Sequence, residues 1–146
     1  MKTIICIFGW AQRGKTSSIK SLASLYGIKP DTYDFCGSTI FSGKRIGFAS
    51  MGDPGSCQKD SIEKLMKEEC DAIVCASRTK GQTTKDVMSL AQQYGYTLIW
   101  TSNYSIAAEV YNMNTSNVNS FNSLTGNLNS LFAKSIKALI DSSLSL

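Results

Sequence analysis

Gly9-Trp10-Ala11-Gln12-Arg13-Gly14-Lys15-Thr16 is the stretch whose reading decides the fold. It has the spacing G-x-x-x-x-G-K-[ST]. Before it, Thr3 to Phe8 reads T-I-I-C-I-F, a β-branched and aromatic run suited to a buried parallel strand. After it, Lys15 to Tyr26 puts Ile19, Leu22, Ala23 and Tyr26 on one helical face. Gly27 then stands where a helix C-cap belongs. A loop with glycine at both ends can curl its backbone N–H groups inward as a nest for an anion. The helix starting at about Lys15 adds its positive dipole end and unpaired N–H groups.

With these eight residues between a strand and a helix, the chain resembles P-loop NTPases. The resemblance implies that a nucleoside triphosphate lies along Gly9, Trp10, Ala11, Gln12, Arg13, Gly14, Lys15, Thr16 and Ser17. It implies that Lys15 reaches the β- and γ-phosphates and that the Thr16 hydroxyl ligates Mg²⁺. Arg13 would contact phosphate or an acidic partner. Trp10 would cover the nucleotide or simply pack.

The rest of the chain sets bounds. Its 146 residues suffice for one domain, 1–146, with a real core. They leave little room for an inserted lid or substrate domain. A net charge of +4 does not argue for nucleic acid. No apolar run approaches membrane-spanning length, and the N-terminus enters a strand directly, without a signal peptide. The five cysteines are scattered without C-x-x-C, and there is no histidine. That pattern suits reduced thiols in a cytoplasmic protein better than a disulfide framework or a zinc site. Lack of histidine removes the commonest general base, but phosphoryl transfer depends mainly on positioning and electrostatics. Between Asp86 and Lys134 the only charged residue is Glu109. This charge-poor C-terminal third is either an uncharged solvated surface or a face for a protein partner or a second copy.

Downstream of the polar connection Ile28 to Tyr33, Asp34 to Phe41 reads as a strand. Ser42-Gly43-Lys44 reads as a turn, and Arg45 to Met51 as a second strand, an antiparallel hairpin over about 34–51. Gly52-Asp53-Pro54-Gly55 follows. Asp53 resembles the Walker B carboxylate that holds a Mg²⁺-bound water, and its sequence equally suits an ordinary turn. Cys57 to Glu69 gives a helix with Ile62, Leu65, Met66 and Cys70 on one face, capped by Asp60 or Ser61. Asp71 to Ala76 is a core strand, and Ser77 to Thr84 leads into a helix carrying Val87, Leu90, Ala91 and Tyr94, stopped by Gly95. Tyr96 to Thr101 is the last strand. Tyr104 to Asn112 offers a short helix, and Val118 to Ile140 a long one, whose apolar stripe includes Leu128, Leu131, Phe132, Ile136, Leu139 and Ile140.

Alternation of strands and helices predicts an α/β fold, a three-layer sandwich on a mostly parallel sheet with one hairpin. Ligands bind such sheets at the carboxyl ends of strands, where the loop, Asp53, Arg78 and Asn103 would gather. The element order resembles small GTPases, which read guanine with N-K-x-D. Here the comparable place is Asn103-Tyr104-Ser105-Ile106, so Asn103 alone would touch a base and ATP is favoured over GTP. Asp53-Pro54-Gly55-Ser56 also departs from D-x-x-G, with its glycine one residue early. The expected function is ATP and Mg²⁺ binding, with hydrolysis or kinase-like transfer to a small acceptor. Lys15, Asp53 and Arg78 would carry the chemistry, with Thr16 and Asp53 at the metal. The alternatives are a non-enzymatic nucleotide switch that binds a protein partner, or a GTPase-like protein lacking the guanine motif.

Overall fold

The computed structural model describes residues 2–9, 15–30, 34–53, 55, 57–102 and 115–146, with residues 115–126 described by their backbone only. Strands β1 (Thr3–Phe8), β2 (Cys36–Phe41), β3 (Lys44–Ala49), β4 (Ala72–Ser77) and β5 (Thr97–Ser102) form one five-stranded sheet in the order β2-β3-β4-β1-β5. Every neighbouring pair is parallel except β2–β3. The result is an α/β fold on a mostly parallel, mixed sheet.

The central place of β1 and β4 agrees with their burial. β1 and β4 are interior, so both of their faces must be apolar, which their continuous runs of Ile, Val, Ala and Cys provide. Ile5 and Ile7 point to one face, Ile4 and Cys6 to the other. On the first face lie α1 (Lys15–Leu25) and α4 (Thr115–Ser143), packed over Ile5, Ile7, Phe48 and Val74. On the second lie α2 (Gln58–Lys67) and α3 (Gln82–Tyr94), packed over Ile4, Cys6, Ile73 and Cys75. Ile19, Leu22, Ala23 and Tyr26 are all buried, as the helical spacing of α1 requires.

Several local expectations are corrected. The hairpin turn is Ser42-Gly43 alone, with φ of 51° and 80°, and Lys44 already pairs with Phe41. A two-residue turn with two positive φ angles matches the right-handed twist of the flanking strands. α2 lies within the expected Cys57 to Glu69, but its cap is not Asp60 or Ser61: the N-cap is Cys57, at φ 44° with no side-chain cap. On α4, Phe132, Ile136 and Ile140 are buried, whereas Leu131 and Leu139 are exposed. The buried residues follow a four-residue step extended by Leu144. Leu131 and Leu139 each lie one residue before that row, about 100° around the helix, and miss the sheet. The proposed short helix Tyr104 to Asn112 lies outside the described residues.

One polar cluster ties the C-terminal helix down. The Tyr26 hydroxyl donates to Asp141 Oδ1 at 2.7 Å, and Lys137 Nζ donates to Asp141 Oδ2 at 2.6 Å. The same ammonium lies 4.8 Å from the Tyr26 ring centroid and 5.0 Å from that of Phe41. Burial, followed by the hydrogen bond to Asp141, holds the Tyr26 phenol well above its usual range. All five cysteines are free thiols. Among the described residues no helix is long and apolar enough to cross a membrane.

Candidate functional site

The topology prepares one edge of the sheet. From β1 the chain crosses through α1 to the β3 side, and from β4 it crosses through α3 to β5. The connections therefore leave the adjacent strands β1 and β4 in opposite directions. A crevice opens at the carboxyl ends of such a pair, outside the sheet. Phe8 pairs with Ser77 in β4 and with Ser102 in β5, so these strand ends are level.

Lys15 sits across that division. It is the first residue of α1 and is only 6% exposed. Its ammonium donates to the Gly9 carbonyl at 2.7 Å and to the Ser77 carbonyl at 3.1 Å, one following β1 and the other ending β4. The Gly9 N–H also donates to Ser77 O at 3.1 Å, which draws the start of the loop against β4. Burial pushes the Lys15 ammonium below its ordinary 10.5; Asp53 opposes this, Arg78 adds to it and Cys6 opposes it. The three charged side chains therefore sense one another at one end of the sheet.

Asp53 arrives on the segment after β3. Ser50 anchors that segment: its N–H donates to Phe35 O at 2.8 Å, and its hydroxyl accepts from Phe35 N–H at 2.6 Å. Gly52 then passes close to β4, where an added Cβ would lie 2.7 Å from the Cβ of Ala76. Only a residue without a side chain fits there. Asp53 follows, and its Oδ1 accepts from Arg78 Nε at 2.8 Å. Arg78 follows β4, and its own backbone is fixed by α3: its N–H donates to Thr83 Oγ1 at 3.1 Å, and its carbonyl accepts from Thr84 Oγ1 at 2.9 Å. Asp53 is 56% exposed at its side chain, so the pair contributes little to stability and is open to exchange.

Thr16 is half-buried, and its hydroxyl reaches Ser50 O at 3.5 Å, the outer limit for a hydrogen bond. Ser17 is exposed on the first turn of α1. The structure thus places Gly9, Lys15, Thr16, Asp53 and Arg78 at one end of the sheet. Trp10, Ala11, Gln12, Arg13, Gly14 and Asn103 lie outside the described residues. Sequence reasoning missed Ser77, whose carbonyl receives both Lys15 and Gly9, because a backbone acceptor has no side-chain signature. It also missed Gln58, buried at 4% exposure, with Nε2 donating to Ala76 O at 2.9 Å and to Thr83 O at 3.2 Å. A signal was present: Gln58 lies four residues before Ile62 and seven before Leu65, on the buried face of α2, but its polar side chain kept it out of the apolar pattern.

No protein-family model matches the chain, and no curated protein matches it.

Lys15 gives a pH prediction with two opposite signs. Its folded-state value is lowered, so between that value and 10.5 the unfolded chain binds more protons than the folded one. Over that window, rising pH increases the Lys15 contribution to fold stability. Anion affinity at the same site should fall over the same window, because the cation is lost. The check is the difference between the native chain and Lys15→Met in chemical denaturation and in pyrophosphate binding across alkaline pH. Parallel profiles for the two proteins would contradict it.

Proposed function

We propose that this chain is a P-loop protein that binds ATP with Mg²⁺ and either hydrolyses it or transfers its γ-phosphoryl group to a small acceptor, in a reducing, cytoplasmic setting. On this reading the α/β sheet is the three-layer P-loop sandwich. The observation that carries it is Lys15: a buried ammonium at the first residue of a helix, at a topological switch point, with an Asp–Arg pair beside it. Burying a cation is costly, and its two carbonyl partners offer dipoles, not a compensating charge. A phosphate would supply that charge.

The residues fit the group they are asked to hold. Mg²⁺ keeps much of its water and commonly takes one or two protein ligands besides substrate phosphates. Thr16 and Asp53 meet that need without a dense ligand cluster. Among the described residues no three His, Cys, Asp or Glu side chains gather to hold a metal by themselves. Bound ATP would supply the phosphoryl group and its charge. Lys15 would hold β- and γ-oxygens, Thr16 and Asp53 the metal shell, and Arg78, released from Asp53, would face charge developing on the transferred group. The sequence around Asn103 lacks N-K-x-D, which favours adenine over guanine.

A second reading, a nucleotide switch without turnover, has its own support. Leu131, 59% exposed on α4, ends the charge-poor stretch, and Leu139, 36% exposed, follows about two turns later among Lys134, Lys137 and Asp141. They offer apolar surface to a protein partner or a second copy. Phosphate release with and without a panel of small acceptors separates the readings. Acceptor-dependent ADP formation supports transfer, acceptor-independent ADP formation supports hydrolysis, and nucleotide-dependent association without turnover supports the switch.

Asp53→Asn tests the metal role. Asparagine keeps the shape and is also favoured in turns, so thermal melting should hardly change. Mg²⁺-dependent ATP affinity should drop, and metal-free affinity should hold or rise, because a negative charge near the phosphates is gone. Equal Mg²⁺ dependence in both proteins would remove Asp53 from the metal shell and redirect the search to Asp34 and Asp31.

A further inference from the structure

Two separate stretches of chain bring the Asp53–Arg78 pair together. Asp53 stands on the segment between β3 and α2, and Arg78 on the segment between β4 and α3. The sheet does not join them at this level. β3 and β4 pair only from Ile46 with Ala72 to Phe48 with Val74, so β4 runs on through Cys75, Ala76 and Ser77 without a β3 partner. Successive strand residues turn their carbonyls to opposite edges. Ser77 O faces β1, where it receives the Gly9 N–H, so Ala76 O faces the side that β3 has left. An acceptor in the interior there needs a donor.

Gln58 supplies it. It opens α2, on the stretch that carries Asp53, and is only 4% exposed. Its Nε2 donates to Ala76 O at 2.9 Å and to Thr83 O at 3.2 Å. Ala76 lies just before Arg78, and Thr83 just after it in the first turn of α3. One buried amide therefore ties the Asp53 stretch to both ends of the loop that carries Arg78. Thr83 tightens that loop from within, because its hydroxyl accepts the Arg78 N–H at 3.1 Å. Gln58 Oε1 is buried without a hydrogen-bond partner among the described residues, an arrangement that costs free energy. That cost offsets much of what the two donor bonds contribute, so the amide acts more on placement than on stability. The ion pair itself is too exposed to hold the two stretches, with side chains 32% and 56% accessible. Placement runs from the buried amide outward to the pair.

We infer that Gln58, together with the Thr83 hydroxyl, is a positioning device that sets the guanidinium of Arg78 against Asp53 and so fixes where that charge stands at the carboxyl end of β4. The further step, that the placed guanidinium serves a transferred phosphoryl group, rests on the nucleotide reading proposed above.

The test reads the two parts separately. In the ligand-free chain, NMR exchange of the Arg78 Nε–H reports its bond to Asp53, and Asp53→Ala gives the rate without that acceptor. Gln58→Met keeps the length and loses the donors. Thr83→Val keeps the shape and loses the hydroxyl, which Thr83→Ser restores. Gln58→Met and Thr83→Val should each speed the exchange about as much as Asp53→Ala, about two- to fivefold for an exposed pair, with Thr83→Ser near native. Native exchange in either folded variant would overturn the positioning role. The Thr83 variants decide it where thermal melting shows Gln58→Met unfolded. With Mg²⁺·ATP, the same variants should lower kcat at least about tenfold with KM within about twofold, because the guanidinium acts on charge that develops in the transition state. Loss of ATP affinity and melting temperature with native kcat would reduce both residues to a structural role. Absence of turnover in the native chain would count against hydrolysis and transfer, and the exchange rates would still decide the positioning.

Discussion

Lys15→Ala should lower Mg²⁺·ATP affinity by at least about tenfold, or about 1.4 kcal/mol, while the chain still folds. The ammonium is buried, at 6% exposure, so its attraction to phosphate is poorly screened by water and the loss should exceed that of an exposed lysine. The fold should tolerate the change for a specific reason. Of the two carbonyls that lose a donor, Ser77 O keeps the Gly9 N–H, and the cost of burying a cation disappears. Calorimetric titration with thermal melting as a control reads both quantities. Native ATP affinity in a folded Lys15→Ala protein would remove Lys15 from the phosphate site.

Gly52→Ala should have the second large effect, this time on the fold. The added Cβ would lie 2.7 Å from Ala76 Cβ and 3.0 Å from the Ala76 carbonyl carbon. A backbone carbon of an interior strand cannot swing aside as a side-chain tip can. The segment after β3 must therefore lift off β4, at a cost of about 1–3 kcal/mol. The shift would also carry Asp53 away from Arg78, across a contact now 2.8 Å long. Denaturant unfolding of the variant checks the first effect, and the Mg²⁺ dependence of ATP binding checks the second. A stability change within about 0.5 kcal/mol would show that the contact relaxes freely.

Much of the fold was legible because its signals are local. The T-I-I-C-I-F run, the α1 stripe ending at Tyr26, the positive φ of Gly27 and Gly95, and a hairpin turn at Gly43 each follow from nearby chain chemistry. Strand order was less accessible. The runs of β1 and β4 mark both as interior, but that β4 stands between β3 and β1 depends on long-range pairing that no local run encodes. Long-range fit was invisible. Gly52 reads as part of a Gly-Asp-Pro-Gly turn, but its tight requirement comes from Ala76 on another strand. Leu131 and Leu139 look like core on a helical wheel, yet the row through Phe132, Ile136 and Ile140 takes the sheet and leaves them outside. The positions of Lys15, Asp53 and Arg78 at strand ends followed from the α/β pattern. Their direct arrangement, with Arg78 on Asp53 and Lys15 on the carbonyls of Gly9 and Ser77, did not.

On the proposed reading a triphosphate is held where β1 meets α1, across the carboxyl ends of β1 and β4. The most direct test is a titration of the intact, isotopically labelled chain with Mg²⁺·ATP, followed by backbone amide NMR. The account predicts saturable one-to-one binding, with the largest shifts at Gly9, Lys15 and Thr16, smaller ones at Ser77 and Arg78, and little change at the α1–α4 contact around Tyr26 and Asp141. Absence of saturable binding, or shifts centred away from Gly9 to Thr16, would contradict it.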